Sequence, residues 1–190
     1  MGDQIGVAVL GATGSIGASA LQVLRLQGNR FKVVSLTGWN QMDALRKLVD
    51  EFSPTLVAAA PESPEDVGLN STPKSQADCY VGGDEGLVAA ATHPDVHIVI
   101  AGVSGAAGLQ STLAAVRAGK RVLLANKEPL VMCGQLVRNA ALGSGACLMP
   151  IDSEHNAIFQ CFPLDIQKDV TSGRGNGSRS AGVSPITLTA

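Results

Sequence analysis

Residues 152–160 read Asp-Ser-Glu-His-Asn-Ala-Ile-Phe-Gln and directly follow a short apolar segment, 148–151. If this stretch lies at the end of a strand, Asp152 and Glu154 point to the same side, because strand side chains alternate with a period of two. Two converging carboxylates offer the hard, anionic oxygens that suit Mg²⁺ or Mn²⁺. The competing interpretation is an ordinary solvated acidic turn after a strand.

A second motif is a run of spaced glycines near the start of the chain. Gly11, Gly14 and Gly17 follow the pattern Gly-x-x-Gly-x-x-Gly, which is looser than the dinucleotide pattern Gly-x-Gly-x-x-Gly. Glycines permit a tight turn and a close backbone approach, and the N-terminus of the helix that follows offers free N–H groups to a phosphate. Placed between a predicted strand and a predicted helix, this loop predicts nucleotide binding.

The end of the second predicted strand indicates which nucleotide is bound. Residues 36–40 read Leu-Thr-Gly-Trp-Asn, and no carboxylate appears before Asp43. An NAD site usually has an Asp or Glu there to bond the ribose hydroxyl, so its absence removes a repulsion against the 2′-phosphate of NADP. No Lys or Arg takes its place. Trp39 either stacks on the adenine or serves as a partly buried anchor.

Asn126-Lys127-Glu128 follows another apolar run, 121–124. Ligands of open parallel sheets gather at the carboxyl ends of strands, where a Lys can neutralise an anionic substrate or polarise a hydroxyl. The alternative is that Lys127 and Glu128 form an ordinary exposed pair at a helix start.

The elements that must position these motifs alternate along the chain. This alternation predicts an α/β fold with an open parallel sheet covered by helices on both faces. The predicted strands are 5–10, 32–36, 56–60, 96–101, 121–124 and 147–151, and the predicted helices are 15–27, 42–51, 84–91, 109–118 and 130–142. Residues 61–76 and 171–182 read as polar loops, and 185–189 alternates like a strand.

Composition excludes several classes of partner. A net charge of −2 gives no basis for binding nucleic acid or an anionic membrane, and the longest apolar region, 96–109, is too short to span a bilayer. The four cysteines form no Cys-x-x-Cys pair and no signal segment opens the chain, which indicates reduced thiols in a cytoplasmic protein.

Three segments together resemble the 1-deoxy-D-xylulose 5-phosphate reductoisomerase family. They are Gly-Ala-Thr-Gly-Ser-Ile-Gly at 11–17, Ala-Gly-Lys-Arg-Val-Leu-Leu-Ala-Asn-Lys-Glu at 118–128 and Ile-Asp-Ser-Glu-His-Asn-Ala-Ile-Phe-Gln at 151–160. The resemblance implies an enzyme of the non-mevalonate isoprenoid pathway. It would use NADPH and Mg²⁺ or Mn²⁺ to convert 1-deoxy-D-xylulose 5-phosphate to 2-C-methyl-D-erythritol 4-phosphate.

The resemblance also implies roles for residues at matching positions. The positions expected to bind NADPH are Thr13, Gly14, Ser15, Ile16, Gly38, Asn40, Asn126 and Glu128. Asp152 and Glu154 are expected to bind the metal, while Lys127, Ser153 and Glu154 are expected to contact the substrate. Trp39 departs from the basic or small polar residue that many relatives carry at the 2′-phosphate.

The resemblance further implies an NADPH-binding Rossmann-like domain at 1–150 and the beginning of an α+β catalytic domain at 151–190. The chain is expected to cover roughly the first half of a typical member and to be inactive by itself. The intact enzyme is expected to be a homodimer. Two alternatives remain open: the nucleotide domain of another NADP-dependent dehydrogenase, and a non-catalytic nucleotide-binding or interaction domain.

Overall fold

The computed structural model of the protein describes residues 4–60 and 79–172. The strands in these residues are β1 (Ile5–Leu10), β2 (Phe31–Gly38), β3 (Leu56–Ala59), β4 (Cys79–Gly82), β5 (Ile98–Ala101), β6 (Arg121–Leu124) and β7 (Cys147–Pro150). They form one sheet in the order β4-β3-β2-β1-β5-β6-β7, and every neighbouring pair is parallel. The predicted parallel α/β fold is confirmed.

Helices follow β1, β2 and β4 to β7. They are α1 (Ser15–Leu26), α2 (Met42–Phe52), α3 (Gly83–Thr92), α4 (Gly108–Arg117), α5 (Glu128–Ser144), α6 (Ser153–Cys161) and α7 (Leu164–Thr171), with a 3₁₀ turn at Gly105–Ala107. The sequence patterns do not predict β4, α6 or α7.

Local chemistry explains two displaced boundaries. Strand β5 begins at Ile98 rather than at residue 96, because the N–H of Val96 bonds the carbonyl of His93 and closes a turn around Pro94. Helix α5 begins before residue 130, since a proline is accepted in a first helical turn. Beyond a kink at Cys133, where the backbone is not helical, α5 continues to Ser144 and ends at Gly145, whose φ of 73° gives the left-handed C-terminal cap.

Two apolar cores cover the two faces of the sheet. On one face, α1 and α2 pack Leu21, Leu24, Leu45 and Val49 against the strands. On the other face, α3, α4 and α5 bury small side chains that include Ala90, Ala115, Val116, Val137 and Ala141. Because β1 is covered on both faces, it reads as an almost continuous apolar run.

The strand order reverses between β1 and β5. From β1 the chain first moves outward through β2, β3 and β4, and then returns to the other side of β1 as β5. Ligands of open α/β sheets bind in the crevice outside the carboxyl ends of the strands at such a reversal. The fold therefore places a candidate crevice beside the ends of β1 and β5.

Several predictions fall outside the described residues. The polar loop at 61–76, nearly all of the loop at 171–182 and the strand at 185–189 lie there. Within the described part, Cys133, Cys147 and Cys161 are free thiols. None of the helices described is both long and apolar enough to cross a membrane.

Candidate functional site

Each of the predicted motifs lies at the carboxyl edge of the sheet. Along that edge the order is 38–40 after β2, 13–16 after β1, 126–128 after β6 and 152–154 after β7. The end of β5 separates the second and third of these groups. Three strand spacings, about 14 Å, separate the nucleotide turn from the acidic motif. An extended ligand along this edge would therefore contact both.

The turn after β1 is held in place by the neighbouring strand β2. Gly11 adopts a φ of 77°, which glycine tolerates best, and its N–H donates to Thr37 Oγ1 at 2.9 Å. The N–H of Ala12 donates to the carbonyl of the same threonine at 2.7 Å. Thr37 is buried, so the turn is built onto the core and does not project freely into solvent.

The glycines of this turn differ in what surrounds them. A Cβ on Gly17 would lie 2.4 Å from the carbonyl oxygen of Gly11, so α1 packs directly against the turn. A Cβ on Gly14 would meet only that same oxygen, at 3.4 Å, which is ordinary contact. The protein's own packing therefore requires glycine at 17 but not at 14.

Gly14 is the N-terminal cap residue of α1, and no side chain caps that end. The N–H groups of Ser15 and Ile16 lie in the first turn, where no intrahelical acceptor exists. An uncapped helix start beside a glycine that packing does not demand fits a phosphate approaching the backbone closely.

The predicted adenosine side of the site lies beside this turn. Thr13 and Gly38 are neighbours, since a Cβ on Gly38 would lie 3.3 Å from the Thr13 methyl carbon. Asn40 is exposed, and Trp39 keeps 42% of its surface accessible. Trp39 is therefore only partly anchored.

Asn126 joins the ends of β5 and β6. Its side-chain Nδ2 donates to the carbonyl of Val103, and this bond fixes the orientation of the amide. The other amide atom, Oδ1, is buried and has no hydrogen-bond partner among the described residues. A buried acceptor without a donor fits a cofactor that brings one. Lys127 and Glu128 follow at the start of α5, with Lys127 exposed.

The acidic motif lies at the start of a helix, and the expectation that it ends a strand is wrong. Strand β7 stops at Pro150, and Asp152 is the N-terminal cap of α6. Asp152 Oδ1 accepts the N–H of His155 at 2.9 Å and lies 2.7 Å from the Nδ1 atom of that ring. An Asp can cap a helix by accepting the backbone N–H three residues further on, which is the alternative to a strand end. Asp152 forms this cap.

Glu154 therefore does not alternate with Asp152 on a strand, but the two carboxylates remain electrostatic neighbours. The hydroxyl of Ser153 donates to Glu154 Oε2 at 2.9 Å. Ser153, which is predicted to contact the substrate, thus contacts Glu154, which is predicted to bind the metal.

Both carboxyl groups are biased toward the ionised form. Burial alone would raise the pKa of Asp152, but hydrogen bonds from the backbone and ring of His155 and the charges of His155 and Lys127 together lower it. The pKa of Glu154 is lowered first by its own backbone N–H, then by the Ser153 hydroxyl, with a further contribution from Lys127. Lys127 follows β6 and therefore acts on both carboxylates, which follow the neighbouring strand β7.

The donor set suits a hard divalent cation but is incomplete. Two carboxylates supply oxygen ligands of the type that Mg²⁺ and Mn²⁺ prefer. The described residues contain no group of three or more His, Cys, Asp or Glu side chains placed to hold a metal. Asp152 and Glu154 would therefore supply part of the coordination shell of such a cation.

The sequence motifs assign no role to two residues that support these turns, Thr37 and Asn156. Thr37 accepts the Gly11 N–H, and Asn156 donates through Nδ2 to the carbonyl of Pro150 at 2.7 Å. In the sequence, Thr37 is only a polar residue near the end of a strand, and Asn156 is only an amide near the start of a helix. Both features are common.

Comparison with known proteins identifies relatives of the chain. Residues 7–134 match the family model described as 1-deoxy-D-xylulose 5-phosphate reductoisomerase. A protein of that name from Psychrobacter sp. (strain PRwf-1) is 48% identical over 185 residues, covering 97% of this chain and 44% of the relative. The namesake from Stutzerimonas stutzeri is 43% identical over 191 residues, covering all of this chain and 46% of the relative.

Solved structures agree with these matches. A reductoisomerase in complex with NADPH, fosmidomycin and magnesium has a TM-score of 0.83 and 47% identity, over 88% of this chain and 41% of its own. The NADPH complex of the enzyme from Zymomonas mobilis has a TM-score of 0.79 and 39% identity, over 86% of this chain and 42% of its own.

The chain thus spans less than half the length of the relatives that it matches. The family model nevertheless covers about two thirds of the chain, including the glycine turn and the segment 126–128. With the fold and the ordering of motifs along the sheet edge, these matches show that the chain belongs to the 1-deoxy-D-xylulose 5-phosphate reductoisomerase family.

Proposed function

We propose that this chain supplies the NADPH-binding part and the first metal ligands of a 1-deoxy-D-xylulose 5-phosphate reductoisomerase. The overall reaction would convert 1-deoxy-D-xylulose 5-phosphate to 2-C-methyl-D-erythritol 4-phosphate. The observation that carries this proposal is the shared edge: in a member of this family, one sheet edge holds both an uncapped glycine turn and a pair of ionised carboxylates. The comparisons do not favour another dehydrogenase or a non-catalytic nucleotide module.

The cofactor would lie along the edge from β2 to β6. Its pyrophosphate would take the backbone of the turn, with its adenosine toward β2 and its nicotinamide toward Asn126. The proposed contacts are Thr13, Gly14, Ser15, Ile16, Gly38, Asn40, Asn126 and Glu128. The buried Oδ1 of Asn126 supports this placement because it needs a donor that the described residues do not provide.

A preference for NADPH over NADH is part of the proposal. The segment from Thr37 to Gln41 contains no carboxylate. A ribose 2′-phosphate would therefore meet no fixed negative charge there, whereas an NAD site would be expected to present one.

Asp152 and Glu154 would hold the divalent cation with the help of water and of ligands outside the described residues. When bound, the cation would act as a Lewis acid toward substrate oxygens. The lowered pKa values of the two carboxyl groups support the assignment, because only the ionised forms are good ligands.

Lys127 and Ser153 would bind the substrate. The exposed ammonium of Lys127 would neutralise negative charge on the ketose phosphate. The Ser153 hydroxyl, which now donates to Glu154, would turn to a substrate oxygen once that carboxylate is engaged elsewhere. Together these side chains would orient the substrate against the cofactor.

The domain division also belongs to the proposal, with the NADPH-binding domain at 1–150 and the opening of the catalytic domain at 151–190. Because the relatives are more than twice as long as the matched region, a polypeptide of these 190 residues alone is expected to bind ligands without turnover. A homodimeric state and a cytoplasmic location remain predictions from the sequence.

Titration calorimetry of the 190-residue chain with NADPH and with NADH tests the cofactor assignment. We expect NADPH to bind more tightly. Equal or tighter binding of NADH would contradict it. A parallel assay of NADPH oxidation with 1-deoxy-D-xylulose 5-phosphate and Mn²⁺ should give no turnover above background. Turnover at the rate of a full-length relative would show that the remaining length is dispensable.

A further inference from the structure

We propose that Asn156 is a positioning residue for the carboxylate pair Asp152 and Glu154, which it holds in place through the backbone at the end of β7. This inference rests on the proposed function, because it concerns the same metal ligands. Asn156 would not touch metal, cofactor or substrate.

Hydrogen bonds hold the Asn156 amide at both of its ends. Nδ2 donates to the carbonyl of Pro150, the last residue of β7, at 2.7 Å. Oδ1 accepts a hydrogen bond from Gln160 Nε2, one helical turn further along α6. The side chain is half-buried, so it is shielded from competing water in part. Such an amide has little freedom to turn.

The Pro150 carbonyl lies close to the metal ligands along the chain. Only Ile151 separates Pro150 from Asp152, the cap of α6. Ile151 in turn donates its N–H to the Leu124 carbonyl at 2.9 Å, which ties the turn to the end of β6 beside 126–128. Asn156 therefore closes a short loop that fixes the entry of the chain into α6 relative to its neighbouring strand.

Without Asn156, Asp152 would be the main side chain holding this turn. Its Oδ1 atom already accepts from His155, and a metal would draw on the same carboxylate. Because Oδ1 is held by the cap, the position of the other carboxylate oxygen depends on where the turn holds the start of α6. Asn156 contributes because it anchors the turn independently of that carboxylate. Partners that orient metal ligands directly change metal affinity by about 10- to 100-fold, and Asn156 acts one step further away, through the backbone.

The chain contains a matched control for this amide pair. Gln135 Nε2 donates to Asn139 Oδ1 at 2.9 Å, also across one helical turn, on the exposed surface of α5. Asn139 has no part in the acidic turn. Asn156→Leu and Asn139→Leu each replace an amide by an apolar group of similar size, so their comparison separates a local helix effect from positioning.

The experiment measures Mn²⁺ affinity of the full 190-residue chain by electron paramagnetic resonance, with Mn²⁺ alone as the ligand. We expect Asn156→Leu to weaken Mn²⁺ binding roughly tenfold. We also expect NADPH binding to stay close to that of Asn139→Leu, because the glycine turn lies three strands away. Gln160→Met, which removes only the second bond to the amide, should cause a smaller loss in the same direction and serves if Asn156→Leu does not fold.

The double variant Asp152→Asn/Glu154→Gln distinguishes the two levels of the proposal. If it leaves Mn²⁺ binding unchanged, the metal assignment itself fails. If it abolishes binding while Asn156→Leu, or Gln160→Met in its place, binds Mn²⁺ like Asn139→Leu, the assignment stands and the positioning role of Asn156 is wrong.

Discussion

The two ligand-binding turns of this protein follow the same topology but are stabilised in opposite ways. The turn at 11–17 and the turn at 151–153 each leave a parallel strand and enter a helix at one edge of the sheet. The first is shaped by hydrogen bonds from its own backbone N–H groups to Thr37 of the neighbouring strand and by the absence of side chains at Gly11 and Gly17. The second is shaped by side chains, with Asp152 as cap and Asn156 as anchor.

The chemistry of each ligand explains this difference. A phosphate is bound by N–H groups, so the best surface for it is bare backbone, and any added atom obstructs it. A metal is bound by carboxylates, which must also be oriented, so extra polar side chains are useful. We therefore expect substitutions in the glycine turn to abolish phosphate binding or to leave it intact. Substitutions in the acidic turn should change metal affinity by degrees.

The largest expected effect is that of Gly14→Val on the cofactor. The protein leaves room for a side chain at this position, so the fold should persist, but the branched side chain would occupy the space proposed for the pyrophosphate. Calorimetry should detect no binding of NADPH. Gly143→Val, at a helix position with open space around it, is the control and should bind normally. Retained affinity in Gly14→Val would place the phosphate elsewhere.

Gly17→Ala should instead disrupt the fold of the same turn. The added carbon would lie within 2.7 Å of backbone atoms of Gly11 and Ala12, which cannot move without disturbing β1. We expect a loss of about 2–4 kcal/mol in the free energy of unfolding, measured by denaturant titration. Gly14→Ala serves as the comparison and should change stability little. Equal stability of the two variants would mean that α1 does not press on the turn.

Thr37→Val tests the support that β2 gives to the glycine turn. Valine keeps the shape of threonine but leaves the Gly11 N–H without its acceptor, which should cost about 1–3 kcal/mol. Thr92→Val, which removes a hydroxyl that bonds only the carbonyl of Val88 within its own helix, should cost less. Chemical denaturation measures both. A larger loss in Thr92→Val would refute the special role of Thr37.

The smallest expected effect concerns the acid stability of the second turn. The pKa values of Asp152 and Glu154 are lowered from ordinary values of 3.8 and 4.5, so ionised carboxylates stabilise the folded state. This contribution should be constant above pH 4.5 and should disappear as the pH falls through the lowered pKa values. Thermal midpoints of the wild type and of Asp152→Asn/Glu154→Gln, compared across this range, measure it. If the wild type instead gained thermal stability over the double variant as the pH fell, the ionised carboxylates would not be stabilising the folded state.

Much of the fold was predictable because each element carries its own local signal. Apolar runs such as 5–10 and the glycines that end helices predict strands and boundaries to within a few residues. The alternating carboxylates of the acidic motif favour a strand end, although an Asp also suits the N-terminal cap of a helix. Local patterns permitted both structures, and the hydrogen bonds with β6 and within α6 selected one.

Local sequence is enough to predict the alternation of strands and helices, the glycine turn and the family resemblance, because these depend on neighbouring residues and on short motifs. The three-dimensional structure is what shows that β5 returns beside β1, which brings the distant segments 11–17, 126–128 and 152–154 to one edge. It alone distinguished Gly17 from Gly14 and revealed the support from Thr37 and Asn156. Such contacts join elements that are separated in the chain, and no local pattern encodes which distant atoms will meet.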